Sequence, residues 1–371
     1  MVRGCDTAPS EGAVSFTFHT GIMPVVYDPV CLGHHMSWSF HTGNSVYRVN
    51  DSGQRAVEIR NALQNAAGFE FINPDAVDST RVATMHPYHD FIRETAEALP
   101  AQSKGAFPFM FPGEGAHIDQ KRNNMHWMGR FCSDFYTPIM PDTYRTAFAA
   151  AACALTAADR VSDGTPYAYA LCRPSGHHAG PRNFGGYCYF NNAALAAEKL
   201  AQHGRVAIVD IDYHHGNGTQ EFFYHRKDVF FASLHADPAF EYPYFWGYSD
   251  EIGHGDGQGA TLNAPLPEGT TEVKFIEALD QIIKAVSHFE PRYLVVSLGV
   301  DGHSADPLST FRLGPSAFDQ SGARLGALGV PTVICQEGGY CIDCLGELTA
   351  RFLSAFRCHH DATLANVRQI G

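Results

Sequence analysis

The sequence predicts an α/β protein built on a mostly parallel sheet with helices on both faces. From Asp142 onward, short apolar segments alternate with longer amphipathic ones, the pattern of repeated strand–helix units. The strand segments, Val206–Val209 above all, are apolar on both faces, as a doubly covered parallel sheet requires. Several of these strands run into polar, glycine-rich clusters, at the edge where open α/β sheets place ligands.

Taken in order, residues 1–20 carry Gly, Ser, Thr and Pro without periodicity and read as a loose leading segment. Met23–Tyr27 is a first strand, and residues 28–50, with His34, His35 and His41 among Gly, Ser and Asn, read as loop. Val57, Ile59, Leu63 and Ala66 place a helix over Gln54–Ala67, and His86-Pro-Tyr-His89 leads into a short helix ending near Leu99. Between Pro100 and Pro141 regularity is lost to Pro108, Pro112, Gly113, Gly115 and Pro138 in an aromatic-rich stretch. A long irregular segment of this kind is usually functional or interfacial.

Beyond it, the expected helices are Thr143–Ala158, Asn191–His203, Thr271–Phe289, Ser316–Leu328 with Ser316 as N-cap, and Ile342–Phe356. The expected strands are Tyr167–Cys172, Arg205–Ile211, Val229–Leu234, Tyr293–Leu298 and Thr332–Cys335. No repeat or linker divides the chain, which predicts one catalytic domain over residues 21–371 with 100–141 inserted in it.

The 371 residues are 45% hydrophobic and 18% charged, with a formal net charge of −13. That balance describes a globular chain, argues against nucleic acid and anionic membranes, and is compatible with cationic substrates. No run approaches the length of an apolar membrane span and Met1–Phe16 has no apolar core, so a cytoplasmic protein is expected. The 10 cysteines lie mostly inside apolar segments, which reads as reduced, buried thiols. Cys341-Ile-Asp-Cys344 has redox spacing without a partner pair.

The chemistry concentrates at four strand ends. The central strand delivers Asp210, Asp212 and His214 before Gly216-Asn-Gly218. Alternation along an extended strand aims residues 210, 212 and 214 to one side, and two carboxylates with an imidazole suit a divalent metal of the zinc class. The other ends carry Arg173-Pro-Ser-Gly-His-His-Ala-Gly180, Gly299-Val-Asp-Gly302 and Gln336-Glu-Gly-Gly-Tyr340. Each taken singly also fits a surface histidine, a capping aspartate or a turn residue; together, on one edge of a parallel sheet, they describe a cleft. Asp212, His214 and Asp301 would leave a metal position open to water and a carbonyl. The pair His177 and His178 supplies a base, Asp210 and Asn217 can orient those imidazoles, and the Tyr340 hydroxyl is placed to stabilise an oxyanion. The whole describes metal-assisted amide hydrolysis.

These segments resemble the arginase–deacetylase superfamily, in particular the zinc-dependent histone-deacetylase-type amidohydrolases. The matching pieces are Arg173–Gly180, Gly185-Gly-Tyr-Cys188 with Phe190-Asn-Asn192, Asp210–Gln220, Ser233-Leu-His-Ala-Asp-Pro238, Leu298-Gly-Val-Asp301 and Glu337-Gly-Gly-Tyr340. Their wording is most similar to the bacterial acetylpolyamine amidohydrolases. The resemblance implies a three-layer α/β/α fold around a sheet of about eight strands, and one catalytic Zn2+ on Asp212, His214 and Asp301. It implies His178 as general base and acid, His177 as its electrostatic support and Tyr340 as the carbonyl-polarising group. It further implies a structural K+ or Na+ at Asp210, Asp212, His214, Ser233 and Leu234, and a second at carbonyls near Phe223, Arg226 and Val229. Tyr187, Tyr242, Tyr136 and Phe184 correspond to substrate-tunnel walls. The implied substrate is a small acylated amine, and the insertion over 100–141 implies a homodimer.

The chain departs from that branch at Tyr136, where a glutamate that receives a distal ammonium is expected; Asp134 lies close by in sequence. A neutral or aryl amide is therefore an alternative substrate, and acetyl-lysine in protein a further one. A dinuclear manganese site of the arginase type would want more carboxylates where this chain has His215 and Asn217. A non-catalytic sensor would be expected to lack a ligand, the base or the tyrosine, and all are present.

Overall fold

The computed structural model describes residues 21–42, 45–113 and 127–370, with only the backbone course given for 37–38, 40–42, 45–50 and 367–370. The leading segment 1–20 and His126 lie outside the described residues. The first elements are β1 (Met23–Val26), an antiparallel pair β2 (Met36–Thr42) and β3 (Ser45–Asp51), and α1 (Gln54–Gln64). Then come β4 (Phe69–Ile72), α2 (Ser79–Met85), α3 (His89–Ala98) and the single turn α4 (Met128–Phe131). The regular alternation follows with α5 (Thr143–Ser162), β5 (Tyr167–Ala170), α6 (Asn192–Ala201), β6 (Val206–Asp210) and α7 (Asn217–Phe223). It continues through β7 (Val229–Ala236), β8 (Thr261–Leu266), α8 (Glu272–Phe289) and β9 (Tyr293–Leu298). The last elements are α9 (Pro315–Gly326), β10 (Thr332–Gln336) and α10 (Ile342–Ile370).

Eight strands form one sheet in the order β4-β1-β5-β10-β9-β6-β7-β8, and each adjacent pair is parallel. Every residue of β5, β6, β7, β9 and β10 is buried, which is why these strands read as apolar without alternation. Each fully buried Val, Ile or Leu there contributes about 1.5–3 kcal/mol. Helices α1, α8, α9 and α10 pack along one another, while α5 packs with α6. The α5 stretch Ala149-Ala-Ala-Ala-Cys-Ala154 is buried: side chains this small let a long helix lie close on the sheet. Among the described residues, no helix is long and apolar enough to cross a membrane.

Three expectations are corrected. Residues 28–50 are not loop: Pro29–Leu32 makes a 3-10 turn capped by Asp28, and β2 pairs with β3 from Met36↔Asp51 to Thr42↔Ser45. The apolar–polar alternation of Met36-Ser-Trp-Ser-Phe-His-Thr42 was the missed strand signal. Ser316 is not the N-cap of α9; Gly314 holds that position and Pro315 opens the helix, its ring pre-set for the first turn and its missing N–H no loss there. The Ser316 hydroxyl turns instead to the Glu272 carboxylate. Finally, Cys341 and Cys344 are joined as a disulfide, since i and i+3 share a face on the turn that opens α10. Of the remaining described cysteines, all but Cys358 are buried and free, as expected.

Candidate active site

Four adjacent strands, β5, β10, β9 and β6, deliver the polar groups. Because they run parallel, their carboxyl ends open on one edge of the sheet, and the clusters at 173–178, 337–340, 299–301 and 210–217 meet there. Asp212, His214 and Asp301 are buried, and their ligand atoms lie within 4.8 Å of one another. His214 Nδ1 is 3.3 Å from Asp212 Oδ1 and 3.1 Å from Asp301 Oδ2.

Two glycines make room for this cluster. A Cβ on Gly299 would sit 2.2 Å from Asp212 Oδ2, and one on Gly338 would sit 2.3 Å from Asp301 Oδ2. The Gly338 N–H also donates to Asp212 Oδ2 at 2.7 Å. The donor set fits a divalent ion of the zinc class: one imidazole nitrogen and two carboxylates, converging in a buried pocket. Electrostatics agree. Burial and then the charge of Asp212 raise the Asp301 pKa to about 7, a mutual repulsion that a bound cation relieves.

The two histidines of the β5 loop are held differently. His177 Nδ1 is 3.0 Å from Asp210 Oδ2. Burial opposes a charge on that ring, but Asp212 and Asp210 outweigh it and raise its pKa to about 10. His178 Nδ1 is 2.8 Å from Asn217 Oδ1. Burial, with His177 and His214 nearby, drives its pKa well down. An amide oxygen can only accept, so Nδ1 of a neutral His178 carries the proton and Nε2 keeps its lone pair.

Tyr340 lies on the glycine hinge after β10. Its N–H donates to Asp306 Oδ2 at 2.6 Å, and burial pushes its phenol well above the ordinary value, so the hydroxyl remains a donor at any working pH. Tyr136, Tyr187, Tyr242, Gly186 and Leu308 wall an opening onto His178, His214 and Tyr340. Phe184, expected among these walls, is not one of them. It is fully buried, stacked on Tyr189 at 5.5 Å, because the turn at Gly185–Cys188 sends Tyr187 outward and leaves Phe184 behind it. Asp134 does not face the opening either: its carboxylate is turned inward onto backbone N–H groups.

Around the expected monovalent positions, Asp210, Ser233 and Leu234 are buried beneath the cluster, and Ser233 Oγ shares a hydrogen bond of 2.8 Å with His235 Nδ1. Phe223, Arg226 and Val229 lie where α7 gives way to β7, and the Phe223 carbonyl accepts the Arg226 N–H at 3.0 Å.

Sequence reasoning missed the support beneath Tyr340. Arg55 of α1 donates to the carbonyls of Gly339 and Glu337, each at 2.6 Å, and its guanidinium lies 4.5 Å over the Tyr340 ring. Asp51, at the end of β3, pairs with Arg55 at 2.8 Å and with Arg173 at 3.0 Å. Glu337 accepts the N–H of Gly176 at 2.6 Å and of His177 at 3.2 Å. Arg173 and Glu337 stood inside the quoted motifs without a role; nothing local marked Arg55 or Asp51.

Arg55→Met is expected to destabilise the fold by about 3–5 kcal/mol, since it strips a partner from a buried charge. Burial works against the Asp51 charge, but Arg173 and Arg55 hold its carboxyl below the usual range. Its stabilisation is therefore present above the unfolded carboxylate pKa and lost as pH falls through the folded one. Thermal unfolding from neutral to acid pH checks this; a variant with the wild-type Tm and pH profile would remove Arg55 from the account.

Comparison with known proteins decides the family. Residues 50–356, most of the chain and all four strand ends, match the histone deacetylase domain. The chain belongs to the histone deacetylase family. As a member it is an enzyme of the deacetylase and amidohydrolase class. It is similar to acetylpolyamine amidohydrolase 1 of Pseudomonas aeruginosa, 46% identical over 231 residues, 62% of this chain and 67% of that one. It is similar also to the acetylpolyamine amidohydrolase of Burkholderia pseudomallei, 40% identical over 298 residues, 78% and 86% of the two chains. The crystal structure of the acetylpolyamine aminohydrolase from Burkholderia pseudomallei superposes with a TM-score of 0.84 at 36% identity, covering 91% of this chain and 99% of that one. This histone deacetylase family member thus shares their all-parallel eight-stranded fold.

Proposed function

We propose that this enzyme is a zinc-dependent amidohydrolase that removes a small acyl group from an N-acylated amine, of the acetylpolyamine or acetylated-diamine class. The observation that carries the reading is the convergence of Asp212, His214 and Asp301 beneath an opening that also presents His178 and Tyr340. The names of its relatives support that substrate class.

In this reading Asp212, His214 and Asp301 hold the zinc, which when bound supplies Lewis acidity toward a carbonyl and favours deprotonation of water. His178, neutral and with Nε2 free, takes the proton from the attacking water and returns it to the leaving amine. Asn217 fixes the tautomer that leaves Nε2 available. His177, whose Nδ1 meets the Asp210 carboxylate at 3.0 Å, is the electrostatic support of its neighbour. Tyr340 donates to the carbonyl oxygen as negative charge grows there. The tyrosine walls admit an extended amide and exclude bulk water. K+ or Na+ at the Ser233 and Phe223 positions, and a homodimer through the 100–141 insertion, where Phe109 and Met110 stand exposed, complete the proposal.

A second reading keeps the chemistry and changes the amine. Among the described residues, none that lines the opening is a carboxylate, which favours a neutral or aryl amide. A competition assay separates the two. Zinc-loaded enzyme is offered N8-acetylspermidine, N-acetylputrescine, an acetyl-lysine peptide and a neutral aryl acetamide, and the free amine is quantified. We expect the acetylated di- and polyamines to lead in kcat/KM by at least about tenfold, the difference one good polar contact makes. A lead for the aryl acetamide would transfer the assignment to the second reading.

A further inference from the structure

We propose that Asp134 is a positioning residue that sets the gauge of the substrate tunnel by tying its tyrosine walls together. The inference rests on the amidohydrolase reading for the tunnel's use, but on this chain's own contacts for its construction.

The tyrosine walls come from segments far apart in sequence, and the Asp134 carboxylate touches the Tyr136, Gly186–Tyr187 and Tyr242 segments. Its Oδ1 accepts the Tyr136 N–H at 2.7 Å. Its Oδ2 accepts the Gly186 N–H at 2.6 Å and the Tyr242 hydroxyl at 3.3 Å. Thr137, three residues further on, accepts the Tyr187 N–H at 2.9 Å through its hydroxyl. Asp134 is only 7% exposed, so these bonds are made away from competing water, where a donor left unpartnered is costly.

The wall it holds needs holding. Gly185 and Cys188 close a tight antiparallel turn, with Gly186 at φ +56° and Tyr187 at φ +66°. Both central residues of such a turn must be left-handed; glycine tolerates that freely, but a tyrosine there is strained and persists only where its surroundings impose it. Asp134 and Thr137 capture the two successive N–H groups that this left-handed pair presents. A carboxylate is well matched to such a concavity. The Tyr242 ring meets His178 edge-to-face at 4.8 Å, and its hydroxyl bond to Asp134 ties it to the same carboxylate oxygen as the Gly186 N–H. With its oxygens committed to these donors, Asp134 is spoken for as a wall tie and does not serve as a receiver for a substrate ammonium.

The consequence falls on length-dependent binding and spares chemistry at the end of the tunnel. Two hydroxamates read it out: acetohydroxamate, which reaches only the metal cluster, and 6-phenylhexanohydroxamate, which threads the tunnel. Asp134→Asn, which keeps the shape but presents an NH2 group to donors, should weaken the long hydroxamate and raise KM for N-acetylputrescine by roughly tenfold, the loss of one charge-assisted hydrogen bond. Acetohydroxamate affinity and kcat should stay within about twofold of wild type. Tyr242→Phe, which deletes a single tie and folds without a new polar group, should shift the long hydroxamate in the same direction by a smaller factor, roughly threefold.

Equal weakening of both hydroxamates in either variant would reduce Asp134 to a general structural role and overturn the proposal. So would unchanged long-hydroxamate binding, or a crystal structure of Asp134→Asn with Tyr187 and Tyr242 in place. Acetohydroxamate binding to wild type tests the metal reading by itself, and the crystal structure tests the wall tie without any metal.

Discussion

Tyr340→Phe is expected to lower kcat by roughly 10²- to 10³-fold with zinc content and KM little changed, the cost of removing one preorganised oxyanion donor. The substitution is well posed because the ring is held by contacts that do not use its hydroxyl. The Tyr340 N–H is fixed to Asp306, the Arg55 guanidinium lies over the ring, and Tyr187 meets it edge-on at 5.9 Å. Phenylalanine keeps all of these. The phenol's raised pKa also means the hydroxyl is a donor, not a base, so the deficit should be independent of pH across the neutral range. Steady-state kinetics with metal analysis checks this, and wild-type turnover in the variant would end the oxyanion assignment for Tyr340.

Zinc removal should have an effect of similar or larger size, and it should be read in stability as well as in rate. Stripping the ion with a chelator is expected to reduce turnover by about 10³-fold or more, several kcal/mol of lost charge stabilisation, and readdition of zinc should restore it. The Tm should fall as well, since Asp212 and Asp301 are then left facing each other in a buried pocket with His214 as their shared partner. Asp301→Ala separates occupancy from catalysis. It should bind zinc at least about tenfold more weakly and recover little activity on readdition, while Asp90→Ala, on an exposed carboxylate of α3, should recover fully. Full activity in metal-free enzyme would remove the metal cluster from the mechanism.

The strand-end clusters were readable because each sits where local forces give no reason for it. A polar, glycine-rich run directly after a fully apolar strand stabilises neither the strand nor the next helix. In a parallel sheet its position is also known, since every such end opens on the same edge. Asp212, His214 and Asp301 could be grouped from their places just beyond the ends of β6 and β9 before any distance was known, as could His177 with Asp210 and His178 with Asn217.

What one sequence could not decide were contacts whose partners lie far apart and whose direction depends on packing. Arg55 reaches Gly339 across 284 residues, from a helix that looked like ordinary amphipathic cover. Asp51 closes a hairpin read as loop, because the alternation of its first strand stood among histidines, Gly, Ser and Asn. Phe184 and Tyr187 differ by three positions in one aromatic run, and only the left-handed turn at Gly186 and Tyr187 sends one to the tunnel and the other to the core. The insertion shows the same division. Asp134 and Tyr136 are two residues apart, and either could have faced the substrate. The carboxylate turned inward because backbone N–H groups from another segment were waiting there, and their hydrogen bonds offset part of the cost of burying it. The sequence by itself thus determined the fold class, the reactive groups and the edge on which they meet. The tertiary structure alone decided which neighbours brace them and which side chains line the way in, because those choices are set by long-range pairing of buried polar groups and not by local pattern.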